Sequence, residues 1–211
     1  MSYPIETPRL WLQPMTVEEH LDDFWELWTD PKALMWTSQG IQESKEAALE
    51  LMLKVLPNEE NPNIDKFALL LRPVAENPMP YTNAQGKPKM VGMVGTNRMS
   101  DHGLETGYCM NIKYWGRGYA GEAFAAFLKY YWTLPNRTEF SLVAKVDLDN
   151  IPSQKILTRV GAKRGEILKD FYARFIDGGK KRDIECWYLE RPGTVASEKE
   201  TGAVFEVSEI P

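Results

Sequence analysis

Residues 105–123, ETGYCMNIKYWGRGYAGEA, carry the strongest indication of the fold in this sequence. The stretch begins as a strand-like run, passes through a turn with Gly116 and Gly118, and continues with the apolar spacing of a helix. The first N–H groups of a helix have no partner within it, and together with the helix dipole they attract anions. Small residues let such a ligand approach the backbone. The stretch therefore predicts a strand, a turn and a helix start that bind phosphate.

The same turn matches GxGxxG over residues 116–121, the fingerprint of dinucleotide-binding folds. Taken alone, these glycines are explained equally well by a tight turn and a helix cap. A dinucleotide-binding fold needs a parallel strand after the helix with an acid at its end, followed by further strand–helix repeats. The chain instead goes on to one short helix and a hairpin, which disfavours dinucleotide binding.

Hydrophobic periodicity predicts the other elements. Four helices are expected. The first begins at Thr16, which forms a capping box with Glu19, the second spans residues 47–55, the third begins at Tyr119, and the fourth spans 152–160. The order of strands and helices, βααβββαβαββ, predicts an α/β fold of the α+β type with a mixed sheet and helices on both faces. The predicted strands are 9–13, 67–71, 90–99, 105–112, 140–146 and a hairpin over 171–189 that turns at 177–179.

The composition is that of an ordinary globular protein, with 211 residues, 43% hydrophobic and 26% charged. We expect a single domain over residues 1–191, with a long surface loop at 73–89, and a C-terminal tail over 192–211. The apolar residues around Phe205 predict that this tail docks on a surface. The net charge of −5 and the absence of a dense basic run argue against nucleic acid as a partner. With no signal peptide or long apolar run, we expect a cytoplasmic protein that does not enter membranes. A monomer and a homodimer both stay open.

The cysteines and histidines limit the metal and hydrolase chemistry. Cys109 and Cys186 lie in strand-like runs without a CxxC or Cys/His cluster, so we expect buried free thiols and no metal. His20 lies in a helix stretch that reads as solvated, and His102 lies in a loop. Neither has a serine or cysteine arrangement nearby in the sequence, so a hydrolase triad is unsupported.

Several motifs in order make the chain similar to the GNAT acetyltransferases, within them to the RimJ/RimL-like branch that includes ribosomal-protein N-terminal acetyltransferases. The resemblance spans roughly residues 7–191 and implies a GNAT-like, mostly antiparallel sheet of about seven strands. It also implies transfer of an acetyl group from acetyl-coenzyme A to a primary amine, and a non-catalytic acyl-coenzyme A-binding module is the competing class. The motifs are TPRL at 7–10, GY at 107–108, YWGRGYAGEA at 114–123, NIPS at 150–153 with Gly161, and DG at 177–178 with Asp183.

The resemblance also implies which residues hold the coenzyme. The backbone of the turn would bind the pyrophosphate, and the preceding strand would pair with the pantetheine arm at Cys109, Met110 and Asn111. Asn150 and Ser153 would lie near the pantetheine and the thioester, although Asn150 is also suited to cap the following helix. The turn residues are Gly116, Arg117, Gly118, Tyr119, Ala120 and Gly121.

The catalytic groups are less clearly marked. Glu105, at the start of the fourth predicted strand, is placed like the glutamate that serves as base in some members, often through water; a solvated carboxylate at a strand end is the alternative. Leu157 stands where some members carry a tyrosine proposed as general acid, which leaves Ser153 as our candidate. Trp115 stands where much of the superfamily has Gln or Arg.

Aromatic residues are the candidates for the acceptor site. Trp28, Trp36 and Tyr172 are expected to form a wall that holds an amine by cation–π contact, with core packing as the alternative. The sequence leaves the acceptor open among a protein N-terminus, an amino acid, a polyamine and a small amine.

Overall fold

A computed structural model describes residues 3–62 and 64–193 of the chain; the predicted docking of the tail through Phe205 lies outside the described residues. Eight strands and four α-helices follow one another in this part of the chain. The strands are β1 Ile5–Glu6, β2 Leu10–Pro14, β3 Lys66–Leu71, β4 Met90–Ser100, β5 Gly103–Met110, β6 Ser141–Asp147, β7 Lys163–Ala173 and β8 Lys181–Glu190. The helices are α1 Val17–Leu27, α2 Lys45–Val55, α3 Tyr119–Tyr131 and α4 Ile151–Arg159. None of the helices described is long and apolar enough to cross a membrane.

The eight strands form one sheet in the order β1-β2-β3-β4-β5-β6-β8-β7. Every neighbouring pair is antiparallel except β5 and β6, which run parallel because α3 crosses over between them. This parallel pair joins at two positions only, Leu104 with Leu142 and Glu105 with Val143. The mixed, mostly antiparallel sheet confirms the predicted fold class.

Helices cover both faces of the sheet, as the sequence predicted. The alternation of β3 shows why, since Phe67 and Leu69 pack with Phe124 and Phe127 of α3, whereas the intervening Ala68 packs with α1 and α2. All six residues of β3 are buried. A strand buried on both faces reads as a continuous apolar run, and the sequence of β3, KFALLL, is close to one.

The start of α1 differs in one detail from the predicted capping box. Thr16 caps the helix as expected, because its hydroxyl accepts the backbone N–H of Glu19 at 3.3 Å. The N–H of Thr16 itself donates to Nδ1 of His20 at 3.1 Å rather than to the Glu19 carboxylate. His20 is therefore buried, and the expectation that it lies on a solvated face was wrong.

The sheet has one strand more than the seven expected, and β7 begins eight residues earlier than predicted. The extra strand, β1, consists of two residues that pair with β2. The first half of β7, around Gly165 and Glu166, is mostly exposed and has no apolar alternation. Its strand conformation is stabilised by pairing with β8 across two register shifts, which local sequence does not encode.

Candidate active site

The parallel strands β5 and β6 separate beyond their two paired positions and leave a gap in the middle of the sheet. A cavity of ≈ 150 Å³ lies in this gap, lined from β5 by Tyr108, from β6 by Lys145 and Asp147, and from α4 by Ser153. Phe124 of α3 and Tyr172 of β7 close other sides of the cavity. These residues come from five elements and meet at one place that no local segment of sequence defines.

The gap exposes main-chain groups on one edge of β5. Asn111 donates its N–H to the carbonyl of Val91 at 2.9 Å, on the β4 side. Because backbone groups of alternate residues in an antiparallel pair point to the same side, Cys109 also faces β4, whereas Tyr108 and Met110 face the gap. The Met110 carbonyl accepts the indole N–H of Trp115 at 2.8 Å.

The main-chain groups of Cys109 and Asn111, which the sequence predicts to contact pantetheine, therefore point to β4 instead. The Asn111 side chain is also engaged, since its amide donates to Glu26 at 3.2 Å and its carbonyl accepts the Lys113 N–H at 3.0 Å. Of the three residues named from the sequence, Met110 retains an N–H toward the gap, and Tyr108 adds both of its main-chain groups.

The glycine-rich turn leads directly from this edge into α3. Gly116 and Gly118 have φ of +72° and +82°, a conformation that residues with a Cβ rarely adopt. The first bond of the helix joins the Glu122 N–H to the Gly118 carbonyl at 3.1 Å. Within the described chain, the backbone N–H groups from Gly116 to Gly121 have no hydrogen-bond acceptor. These six donors lie where the sequence predicts an anion site, and unpaired N–H groups at a helix start favour an anion.

Side chains from the N-terminal segment fix the turn in place. Arg9 donates to the Arg117 carbonyl at 2.8 Å and to the Glu122 carboxylate at 2.7 Å, and the Thr7 hydroxyl donates to the same carboxylate at 2.6 Å. The guanidinium also lies 4.6 Å from the ring centre of Tyr119. The motif TPRL at 7–10 was visible in the sequence, but this role was not, because its partners lie more than 100 residues away.

Asn150 and Ser153 reach the cavity from the start of α4. The Asn150 side chain accepts the Ser153 N–H at 3.2 Å, so Asn150 does cap the helix, and both residues line the cavity. The hydroxyl of Tyr108 donates to the Ser153 hydroxyl at 2.9 Å. Burial raises the pKa of Tyr108, against a smaller opposing effect of the bond to Ser153, so the hydroxyl is protonated at neutral pH. Sequence reasoning noted Tyr108 in the GY motif but missed this contact, because only the fold brings β5 against α4.

Glu105 lies at the closed end of the gap, where β5 and β6 are still paired. Its carboxylate accepts from Lys145 at 2.8 Å and lies 3.5 Å from the guanidinium of Arg98. Lys145 lines the cavity, but Glu105 is not among the residues that form its wall. A proton taken up by Glu105 would break the ion pair with Lys145. A role of Glu105 as base stays a prediction, and it would require proton transfer through this lysine or through a water between Glu105 and the cavity.

Asp147 is a second carboxylate of the cavity, one that the sequence did not single out. It accepts from Arg182 at 2.7 Å and from the Tyr172 hydroxyl at 2.6 Å. Burial raises the pKa of Asp147, but these two hydrogen bonds outweigh burial and the pKa lies below its usual value. Asp147 is therefore a weak base, and Arg182, its ion-pair partner, is shared with Asp149 and Asp177. A dinucleotide-binding fold requires an acid at the end of the parallel strand after α3, and Asp147 lies at that position. Here, however, Asp147 forms an ion pair with Arg182, and every other strand pair of the sheet is antiparallel.

The aromatic residues predicted for the acceptor separate into two groups. Trp36 and Tyr172 line the cavity, and the guanidinium of Arg174 lies 5.2 Å from the ring centre of Trp36. Trp28 is buried in the core between the sheet and helices α1 and α2, where its ring centre is 5.9 Å from that of Phe24. The structure does not bring Trp28 to the cavity, because helical spacing directs it to the core.

Comparisons with known proteins agree with this arrangement. The family model described as "Acetyltransferase (GNAT) domain" matches residues 9–163. The N-acetyltransferase p20 of Bacillus licheniformis is 23% identical over 167 residues, which cover 78% of this chain and 85% of that protein. Two solved structures share the fold. The microcin C7 self-immunity acetyltransferase MccE, in complex with acetyl-CoA and AMP, has a TM-score of 0.67 at 13% identity and covers 87% of this chain and 93% of its own. The spermidine N-acetyltransferase of Vibrio cholerae, in complex with CoA and spermine, has a TM-score of 0.66 at 16% identity and covers 88% of this chain and 97% of its own.

Proposed function

Because this chain belongs to the GNAT acetyltransferase family, we propose that it transfers the acetyl group of acetyl-coenzyme A to a primary amine in a ternary complex. The observation that carries the proposal is the alignment of two features. The unpaired N–H groups of residues 116–121 lie at one end of β5, and the open edge of β5 leads from them along the gap. A pyrophosphate on the turn would lay the pantetheine arm along Tyr108 and Met110, with its thioester at the cavity.

The reaction needs three proton transfers. The amine attacks the acetyl carbonyl carbon as a free base, the bond from that carbon to sulfur breaks, and the thiolate leaves. In our proposal Glu105 accepts the proton of the ammonium through water or Lys145, and the Tyr108 hydroxyl supplies a proton to the thiolate through Ser153. The nitrogen of the new amide then releases its extra proton, which returns to Tyr108 through water and Ser153. The 2.9 Å bond between Tyr108 and Ser153 supports the second transfer. This bond places the Tyr108 hydroxyl, a proton donor from β5, beside Leu157 of α4. Some family members have a tyrosine at the position of Leu157.

The charges around the cavity favour an acceptor with a single amine. The only charged residues among those lining the cavity in the described chain are Lys145 and Asp147, and each is already paired, with Glu105 and Arg182. A polyamine carries several positive charges and is bound best by several free carboxylates. We therefore propose a peptide N-terminus or a small monoamine, held beside Trp36 and Tyr172. The first of these agrees with the RimJ/RimL-like branch that the sequence motifs suggested.

The test is release of free thiol from acetyl-coenzyme A with a panel of acceptors: N-terminal peptides, amino acids, a monoamine and spermidine. Turnover with any acceptor supports the enzyme. Calorimetric binding of acetyl-coenzyme A without turnover across the panel would instead support the non-catalytic binding module. A higher kcat/KM for spermidine than for every peptide and monoamine would contradict the charge argument while leaving the enzyme intact.

A further inference from the structure

Three side chains with metal-binding atoms meet on the side of the sheet away from α3. His102 lies in the turn between β4 and β5, Glu166 lies in β7, and Cys186 lies in β8. A ring nitrogen of His102, a carboxylate oxygen of Glu166 and Sγ of Cys186 all lie within 4.8 Å of one another. The closest pair, Nδ1 of His102 and Oε1 of Glu166, is 2.6 Å apart. The three residues are separated by up to 84 positions in the sequence and belong to different elements.

The fold brings them together through irregular backbone. A register shift between Arg164 and Ile167 in β7 places Glu166 beside Cys186. Gly165 is required there, because a Cβ at this position would lie 2.4 Å from the ring of Tyr188. The Tyr188 hydroxyl donates to Glu166 at 2.7 Å and so orients the carboxylate.

From this geometry we propose that His102, Glu166 and Cys186 bind a Zn²⁺ ion. Imidazole nitrogen, carboxylate oxygen and thiolate sulfur are the ligands zinc takes in proteins, and three of them with one open position is a common set. Zinc bonds of ~2.0–2.3 Å in tetrahedral geometry place ligand atoms roughly 3.3–3.7 Å apart. Reaching this arrangement requires shifts of about 1 Å, which the partly exposed His102 and Glu166 can make around the buried Cys186.

The charges near the site are compatible with a divalent cation. When zinc binds, the Cys186 thiol releases its proton to solvent, and the resulting thiolate and the Glu166 carboxylate together offset two positive charges. Lys145 pairs with Cys186 across the strands β6 and β8, but its ammonium is bonded to Glu105. The second cation near that carboxylate, Arg98, is mostly exposed, so water screens its charge. The Tyr188 hydroxyl donates a hydrogen bond to the Glu166 carboxylate and so fixes the orientation of this zinc ligand. The sequence predicted no metal because no spacing motif is present; the tertiary structure supplies the cluster instead.

The experiment is a titration of chelator-treated, untagged protein with Co²⁺, which takes the place of zinc and gives a thiolate-to-cobalt charge-transfer band when a cysteine is a ligand. We expect this band at one equivalent, and its loss when Zn²⁺ is added. Cys186→Ala should abolish the band, whereas Cys109→Ala, which removes the other cysteine of the chain, should leave it unchanged.

Two surface variants decide the proposal if Cys186→Ala does not fold. His102→Ala should abolish stoichiometric zinc binding, and Tyr188→Phe, which removes only the orienting hydroxyl, should weaken it by about 10–100-fold. The proposal is overturned if the wild-type protein shows no charge-transfer band. It is equally overturned if the band survives in Cys186→Ala or if zinc binding survives unchanged in His102→Ala.

Discussion

Substitution of Gly118 by glutamate tests whether the turn before α3 holds the coenzyme pyrophosphate. Gly118 has a φ of +82°, so any side chain adds strain of about 1–2 kcal/mol to the folded state. The added carboxylate would also lie about 5 Å from a pyrophosphate bearing about two charges. At an effective dielectric constant of about 20–80 the repulsion is about 2–7 kcal/mol, and its lower end already weakens binding about 30-fold.

Matched variants separate strain from charge. Gly118→Ala carries the strain without the charge, so it should lower the free energy of unfolding with a much smaller loss of affinity. Gly86, in the 73–89 loop, has a φ of +73° and open space around it. Gly86→Glu therefore adds similar strain and the same charge far from the turn, and should leave coenzyme binding unchanged.

Calorimetry with acetyl-coenzyme A measures the affinity, and denaturant unfolding shows that each variant is folded. Higher salt should recover part of the affinity lost in Gly118→Glu, because it screens the repulsion. NAD should bind the wild-type protein far more weakly than acetyl-coenzyme A does. If folded Gly118→Glu binds acetyl-coenzyme A as well as the wild type does, the pyrophosphate lies elsewhere.

Three further substitutions test the chemistry and the stability. Glu105→Gln removes the proposed base and should lower kcat by about 10²–10⁴ with coenzyme affinity nearly unchanged and partial recovery at higher pH; retention of most activity at neutral pH would leave positioning as the source of the rate. Tyr108→Phe keeps the ring but removes the proton donor to Ser153, so kcat should fall about 10²-fold, and an unchanged kcat would exclude this path. Burial raises the pKa of Glu26, but hydrogen bonds from Lys89 and Lys113 outweigh burial. They lower the pKa to about 2 from an ordinary value of 4.5. Stability from this group is present above pH 4.5 and is lost as the pH falls toward 2, by about 1–2 kcal/mol after allowing for partial exposure. The free energy of unfolding of Glu26→Gln should therefore change less than that of the wild type between pH 4.5 and about 2. The same pH dependence in both proteins would contradict the stabilising role of the Glu26 carboxylate.

Elements with strong local signals could be predicted from the amino-acid sequence alone. The helix from Tyr119 has its apolar residues on one face, and the glycines before it have the conformation that the turn requires. These signals are local because hydrogen bonds of a helix join residues four apart, and the backbone freedom of a glycine belongs to that residue alone. The fold class followed from them, and the prediction that the turn binds phosphate rests on them.

The tertiary structure decided the contacts between distant segments. Tyr108 reaches Ser153, Arg9 holds Glu122, and the edge of β5 faces a gap only because β6 pairs with it at two positions. Trp36 and Trp28 look alike in the sequence, yet one lines the cavity and the other lies in the core.

Local sequence does not predict contacts between distant segments, and two features show this most clearly. They are the first half of β7 and the cluster of His102, Glu166 and Cys186. The segment around Gly165 has no strand pattern, and it becomes a strand because β8 offers it backbone partners. The cluster has no spacing motif, since its residues come from one turn and two strands that the sheet places side by side. Strand pairing joins residues at any separation along the chain, so local sequence determines which segments form helices and turns, while the assembled sheet determines which side chains meet.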